Sequence, residues 1–96
     1  MSPLKRKKLN KIRSNLDKLD NYLIKLIKQR THLVNQVLKI KERKKEIIDN
    51  KRIKKILSNI RKKSIANKID PKITNRIWKN MIWSYIDYEK RNFKKK

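Results

Sequence analysis

The chain has 96 residues, a formal net charge of +23, one His, and neither Cys nor Gly. Without Cys it forms no disulfides and no thiolate metal sites, and one His with eight acidic residues does not predict a metal centre. The lack of Gly excludes Gly-rich phosphate loops and the nucleophile elbow. The length predicts one domain near the lower size limit for a self-sufficient core.

The N-terminal segment, residues 1–8, is a basic arm that lacks the apolar core of a signal peptide. No apolar run in the chain is long enough to span a membrane. We therefore expect a cytoplasmic protein without a membrane partner.

The high positive charge has two explanations. Small basic proteins often bind nucleic acid, and a cationic surface also attracts anionic metabolites. Alternatively, the charge reflects composition, because Lys, Ile and Asn dominate, as expected of AT-rich codons. The Lys residues mostly occupy exposed helix positions rather than one block, which does not favour nucleic acid as a partner.

Apolar residues recur at alternating spacings of three and four through the first half of the chain. This pattern predicts one long amphipathic helix from about Leu9 to about Lys44, and its apolar stretch to Lys41 would be about 50 Å long. A compact domain of 100 residues has a radius of gyration of about 13 Å, so the chain is too small to cover such a helix. We therefore expect a homodimer. The apolar positions of this seam are Leu9, Ile12, Leu16, Leu19, Leu23, Leu26, Leu33, Val37 and Ile40.

Two further helices follow a connection at residues 46–50. Either Asp49 or Asn50 suits the N-cap of a second helix that runs to about Asn67. Asp70 and Pro71 form a strong start signal for a third helix that ends near Phe93. The predicted fold class is all-α, with a long, a short and a medium helix. Residues 9–93 form the single domain, and residues 94–96 form a basic tail.

Four cations are candidates for an anion-binding site. Arg30 occupies a seam position, which is costly unless an anion meets the guanidinium there. Lys41 lies three helical turns further along nearly the same face. Arg13 lies about 25 Å before Arg30 along the axis, so only an antiparallel partner helix carries it to the same place. Arg52, early in the second helix, is the fourth candidate; apart from Arg30, each taken singly is also explained as a solvated surface residue.

The third helix carries an acid on an apolar stripe. Glu89 shares one face with Trp78, Ile82, Tyr85 and Phe93. It is either a functional acid or the partner of a Lys or Arg from another helix.

The ordered set of these residues resembles the all-helical (type II) chorismate mutases. The resemblance covers about residues 9 to 93 and implies an intertwined homodimer of three-helix chains with two equivalent sites. It further implies the rearrangement of chorismate to prephenate, for phenylalanine and tyrosine biosynthesis, without metal or cofactor. The matching segments are residues 12–20 (IRSNLDKLD), 26–30 (LIKQR), 37–41 (VLKIK), 49–52 (DNKR) and 69–71 (IDP), with Trp78, Met81, Ile82 and Glu89.

The resemblance also implies a role for each site residue. Lys41 and Glu89 would donate hydrogen bonds to the ether oxygen of chorismate, Glu89 as the protonated acid. The residues implied in substrate binding are Arg30, Asp49, Arg52 and Tyr85 of one chain, with Arg13 contributed by the partner chain.

Two departures from the family pattern leave alternatives open. Ile53 stands where the family commonly has an acid, and Tyr85 stands where it often has Ser. Both features are similar to the isochorismate-pyruvate lyases, which share the fold and are the first alternative. A basic helical dimer that binds nucleic acid is the second alternative.

Overall fold

The computed structural model describes residues 1–94, and over this range the chain is helical without a strand. The all-α prediction of one long, one short and one medium helix is confirmed. The basic tail at residues 94–96 lies mostly outside the described residues. The helices are α1 (Pro3–Ile40), α2 (Asn50–Ala66) and α3 (Pro71–Asn92), with a 3-10 helix at Lys44–Ile47 between α1 and α2.

Helix α1 begins at Pro3 rather than near Leu9, so the predicted start is wrong. Ser2 acts as its cap, because the Ser2 hydroxyl accepts a hydrogen bond from the Lys5 amide at 3.2 Å. Pro3 then occupies the first helical position, where its missing amide hydrogen costs nothing. Most of the basic arm is therefore helical, although it carries none of the apolar seam.

The end of α1 also differs from the prediction. The helix stops at Ile40 rather than near Lys44, and the chain enters the 3-10 helix four residues later. This ending brings Ile47 into the interior, where only 3% of its surface remains exposed. Burying one large aliphatic side chain contributes about 1.5–3 kcal/mol, which favours the turn over further turns of helix.

The chain divides into two compact units, the N-terminal unit Met1–Leu33 and the C-terminal unit Val34–Lys96. The boundary falls inside α1. In the N-terminal unit the seam residues are largely exposed, with Ile12 at 57%, Leu23 at 53% and Leu33 at 59%. An exposed apolar stripe of this extent indicates a surface that another molecule covers.

The C-terminal unit contains a closed core. Ile47 packs with Ile82 and Ile86 of α3. A partly buried hydroxyl pair joins α2 to α3, since the Ser64 and Thr74 oxygens are 2.7 Å apart. The Ser64 hydroxyl also donates to the Ile60 carbonyl. Partly buried side chains complete the core: Leu38, Ile53, Ile56, Leu57 and Phe93.

Local capping fixes the starts of α2 and α3. The Asp49 carboxylate accepts a hydrogen bond from the Arg52 amide at 3.0 Å, which makes Asp49 the cap of α2. Asp70 accepts from the Lys72 amide at 2.9 Å, with Pro71 at the first position of α3, as predicted. Within residues 1–94, no helix has both the length and the apolar composition of a transmembrane span.

Candidate active site

The centre of the candidate site is an ion pair between Lys41 and Glu89. The Lys41 ammonium nitrogen lies 3.1 Å from Glu89 Oε1, and the two side chains are 18% and 8% exposed. Both residues belong to the C-terminal unit. A carboxylate this deeply buried requires a charged or hydrogen-bonding partner, and Lys41 supplies it.

The helical repeat of α3 explains why Glu89 is buried. Ile82, Ile86 and Glu89 are the buried residues of α3, at spacings of four and three. Glu89 is therefore an acid on an apolar stripe, as predicted. Ile86, which the predicted stripe did not include, is buried beside it together with Ile82. Lys41 is the first residue after α1, and its amide donates to the Val37 carbonyl at 3.3 Å.

The Lys41–Glu89 contact fits both explanations of Glu89, because Oε1 accepts the hydrogen bond from Lys41 whether the carboxyl group is a carboxylate or a carboxylic acid. It is the contact with a Lys of another segment that a purely structural role requires. It also brings together the two residues to which the family resemblance assigns the ether oxygen. The geometry alone therefore does not choose between these roles.

Two tyrosines lie beside the pair on α3. Tyr85, one turn before Glu89, is half-buried, and its ring meets that of Tyr88 edge to face at a centroid distance of 6.5 Å. The Tyr88 hydroxyl donates a hydrogen bond of 2.8 Å to Asn35 Oδ1. The sequence gives no signal for the role of Asn35, because nothing in the local pattern links residues 53 positions apart.

The start of α2 holds two more predicted site residues. The Asp49 carboxylate caps the helix through the Arg52 amide. Both side chains are exposed. Asp49 and Arg52 are thus in contact because they are close in sequence and share a helix cap. Their contact with a ligand stays a prediction.

The remaining two predicted site residues lie in the N-terminal unit. Arg13 is exposed on α1. Arg30 is half-buried, and its Nε is shielded from solvent. A shielded guanidinium nitrogen at a seam position agrees with the sequence argument that singled out Arg30.

Metal ligands are not grouped in the described part of the chain. Among residues 1–94, no three side chains of His, Asp or Glu are arranged to hold a metal ion.

Comparison with known proteins identifies the family. The family model for chorismate mutase type II matches residues 12–90, a range that includes all of the predicted site residues. No curated protein and no solved structure gives a significant match. Because the matched range is most of the 96 residues, the chain belongs to the chorismate mutase type II family.

Proposed function

We propose that this protein is a chorismate mutase that converts chorismate to prephenate, the step that leads to phenylalanine and tyrosine. The observation that carries the proposal is the shielded Lys41–Glu89 pair in a chain of the chorismate mutase type II family. We assign the catalytic domain to residues 9–93.

The reaction suits a site built from cations and one acid. It is a pericyclic rearrangement in which one C–O bond breaks and one C–C bond forms within the same molecule, so it needs no nucleophile. The protein must hold a flexible dianion in its reactive conformer. It must also stabilise the negative charge that develops on the ether oxygen.

Lys41 and Glu89 are proposed as the two donors to that oxygen. An ammonium group has three N–H donors, so Lys41 can bond to Glu89 and to the ligand at once. Glu89 would donate as the carboxylic acid, because a carboxylate would repel the developing charge. The burial of both side chains strengthens these bonds, since electrostatic interactions grow as water is excluded.

The arginines are proposed to bind the two carboxylates of chorismate. Arg30 and Arg13 of the partner subunit would make charge-assisted, bidentate hydrogen bonds, and Arg52 would support a carboxylate or the ring. Asp49 orders the first turn of α2 that carries Arg52. The half-buried Tyr85 would contact the ring from a position one turn before Glu89.

A homodimer is part of the proposal. The apolar seam of the N-terminal unit is exposed from Ile12 to Leu33, and a second copy presents an identical seam. An antiparallel pairing would carry the partner's Arg13 to the site. Sedimentation at micromolar concentration should show a dimer, and a fully helical monomer would contradict the pairing.

Isochorismate-pyruvate lyase is the second candidate, and the position of Ile53 favours it. The family commonly has an acid at this place, whereas here Ile53 packs against the core of the C-terminal unit. The site therefore lacks one polar contact that a mutase usually offers to the substrate hydroxyl.

A two-substrate assay tests the proposal. The purified protein should form prephenate from chorismate and release little pyruvate from isochorismate. The opposite pattern would assign the lyase, and no turnover of either compound would reject both. Lys62→Gln, which neutralises an exposed Lys on α2, is the control for loss of positive charge in every variant assay.

A further inference from the structure

The end of α1 and the residue that follows it make three contacts with α3 and the core, at residues spaced three apart. Asn35 accepts a hydrogen bond from Tyr88, Leu38 packs against the core, and Lys41 pairs with Glu89. This segment therefore has one polar contact at each end and an apolar contact between them. All three residues belong to the C-terminal unit.

The backbone around Lys41 does not by itself fix the position of the Lys41 ammonium group. It lies just beyond the end of α1, and its backbone hydrogen bond to Val37 is long, at 3.3 Å. Its four-carbon side chain is flexible, so the position of the ammonium group depends on where the end of α1 sits. The local helix alone does not fix that position against α3.

A hydrogen bond from the Tyr88 hydroxyl to Asn35 connects α3 to the end of α1. The bond to Asn35 is 2.8 Å long, the usual length for a hydroxyl donor, and it is partly shielded from water. Tyr88 is adjacent to Glu89 in α3, while Asn35 precedes Lys41 on the same stretch of chain. A shift of α1 that misplaces Lys41 would therefore also break this bond, which leaves partly buried polar groups unsatisfied.

We propose that the Tyr88–Asn35 hydrogen bond is a positioning contact that holds the end of α1 so that the Lys41 ammonium stays aligned with Glu89 and the reacting oxygen. The inference rests on the proposed function. Tyr88 and Asn35 act through the helix rather than on the substrate, so both are positioning residues.

Tyr88→Phe is the first test, because it removes the hydroxyl and keeps the ring that packs on Tyr85. We expect kcat to fall about ten-fold, since small misplacements of catalytic groups are costly. KM should change little, because the arginines that bind the ground state remain. Tyr22→Phe makes the same chemical change at an exposed tyrosine of α1 and should match the wild type.

Changes at Asn35 separate positioning from general stability. Asn35→Asp keeps the acceptor oxygen and should stay within about two-fold of the wild type, whereas Asn35→Leu should resemble Tyr88→Phe. The double variant Tyr88→Phe with Asn35→Leu should be no slower than either single variant, because both remove the same bond. Losses that multiply in the double variant would overturn the proposal.

A direct readout of Lys41 makes the test independent of turnover. The ammonium protons of Lys41, identified by the loss of their NMR signal in Lys41→Gln, should be protected in the wild type and in Tyr22→Phe. They should broaden in Tyr88→Phe while the helical content is retained. An unchanged signal would overturn the positioning role even if chorismate is converted. A signal that responds to Tyr88→Phe in a protein without chorismate turnover would keep that role and reject the proposed function.

Discussion

The two units of this chain use the same kind of amphipathic helix in opposite ways. In the C-terminal unit the apolar faces of α2 and α3 close on each other and bury Ile47 and Ile82. In the N-terminal unit the apolar face of α1 stays open and contains no buried residue. Periodicity alone thus does not tell whether a helix is covered by its own chain. We propose that a second copy of the chain covers this open face.

The largest effect should come from the centre of the closed unit. Lys41→Gln removes a charged donor and should lower kcat/KM for chorismate about 10²- to 10³-fold, as loss of one preorganised donor does in other enzymes. Steady-state assays against Lys62→Gln measure this loss. Equal rates for the two variants would show that Lys41 only supports Glu89 structurally.

The chemical role of Glu89 predicts which substitution it tolerates. Glu89→Gln should stay active, because an amide donates a hydrogen bond to the ether oxygen as a carboxylic acid does, whereas Glu89→Leu removes the donor and should lower kcat/KM about 10²- to 10³-fold. Steady-state assays of the two variants measure the difference. Equal losses in both would favour the salt-bridge role alone.

A substitution in the closed core should lower the stability of the protein without changing a predicted site residue. Ile47→Ala should lower the free energy of unfolding by about 2–5 kcal/mol, because it leaves a cavity beside Ile82 and Ile86. Urea denaturation measures the change, with the exposed neighbour variant Ile48→Ala as the control. Equal losses for both variants would mean that the 3-10 helix is not part of the core.

The smallest effect should come from a helix cap. Asp49→Ala removes the acceptor for the Arg52 amide and should cost about 1 kcal/mol of stability. If kcat/KM falls much more than this loss of stability explains, Asp49 also contacts the substrate. Asp49→Asn, which keeps a capping oxygen, separates the two contributions.

Much of the fold could be predicted because its signals are local. The caps Asp49 and Asp70 accept hydrogen bonds from amides within three positions, Pro71 begins α3, and the heptad spacing of α1 is visible along the chain. The start of α1 at Pro3 was missed because its first turns carry no apolar period. The core role of Ile47 was missed because it depends on tertiary burial.

The candidate site also contains some features with local sequence signals and others that depend on tertiary contacts. The sequence singles out Glu89 because an acid interrupts an apolar stripe, and Lys41 because it follows Arg30 on one face; their part in binding or catalysis stays a prediction. The bond from Tyr88 to Asn35 has no local signal, since two separate helices create it. The contribution of Arg13 from a second copy stays a prediction.

Subunit mixing tests the shared site most directly. Arg13→Ala and Arg30→Ala should each be inactive alone, because every site then lacks one carboxylate-binding cation. After subunit exchange, half of the dimers are mixed, and one of the two sites in each mixed dimer has both arginines, so about a quarter of the wild-type activity should return. A mixture that exchanges subunits yet stays inactive would contradict the account in which the open face of one copy completes the site of the other.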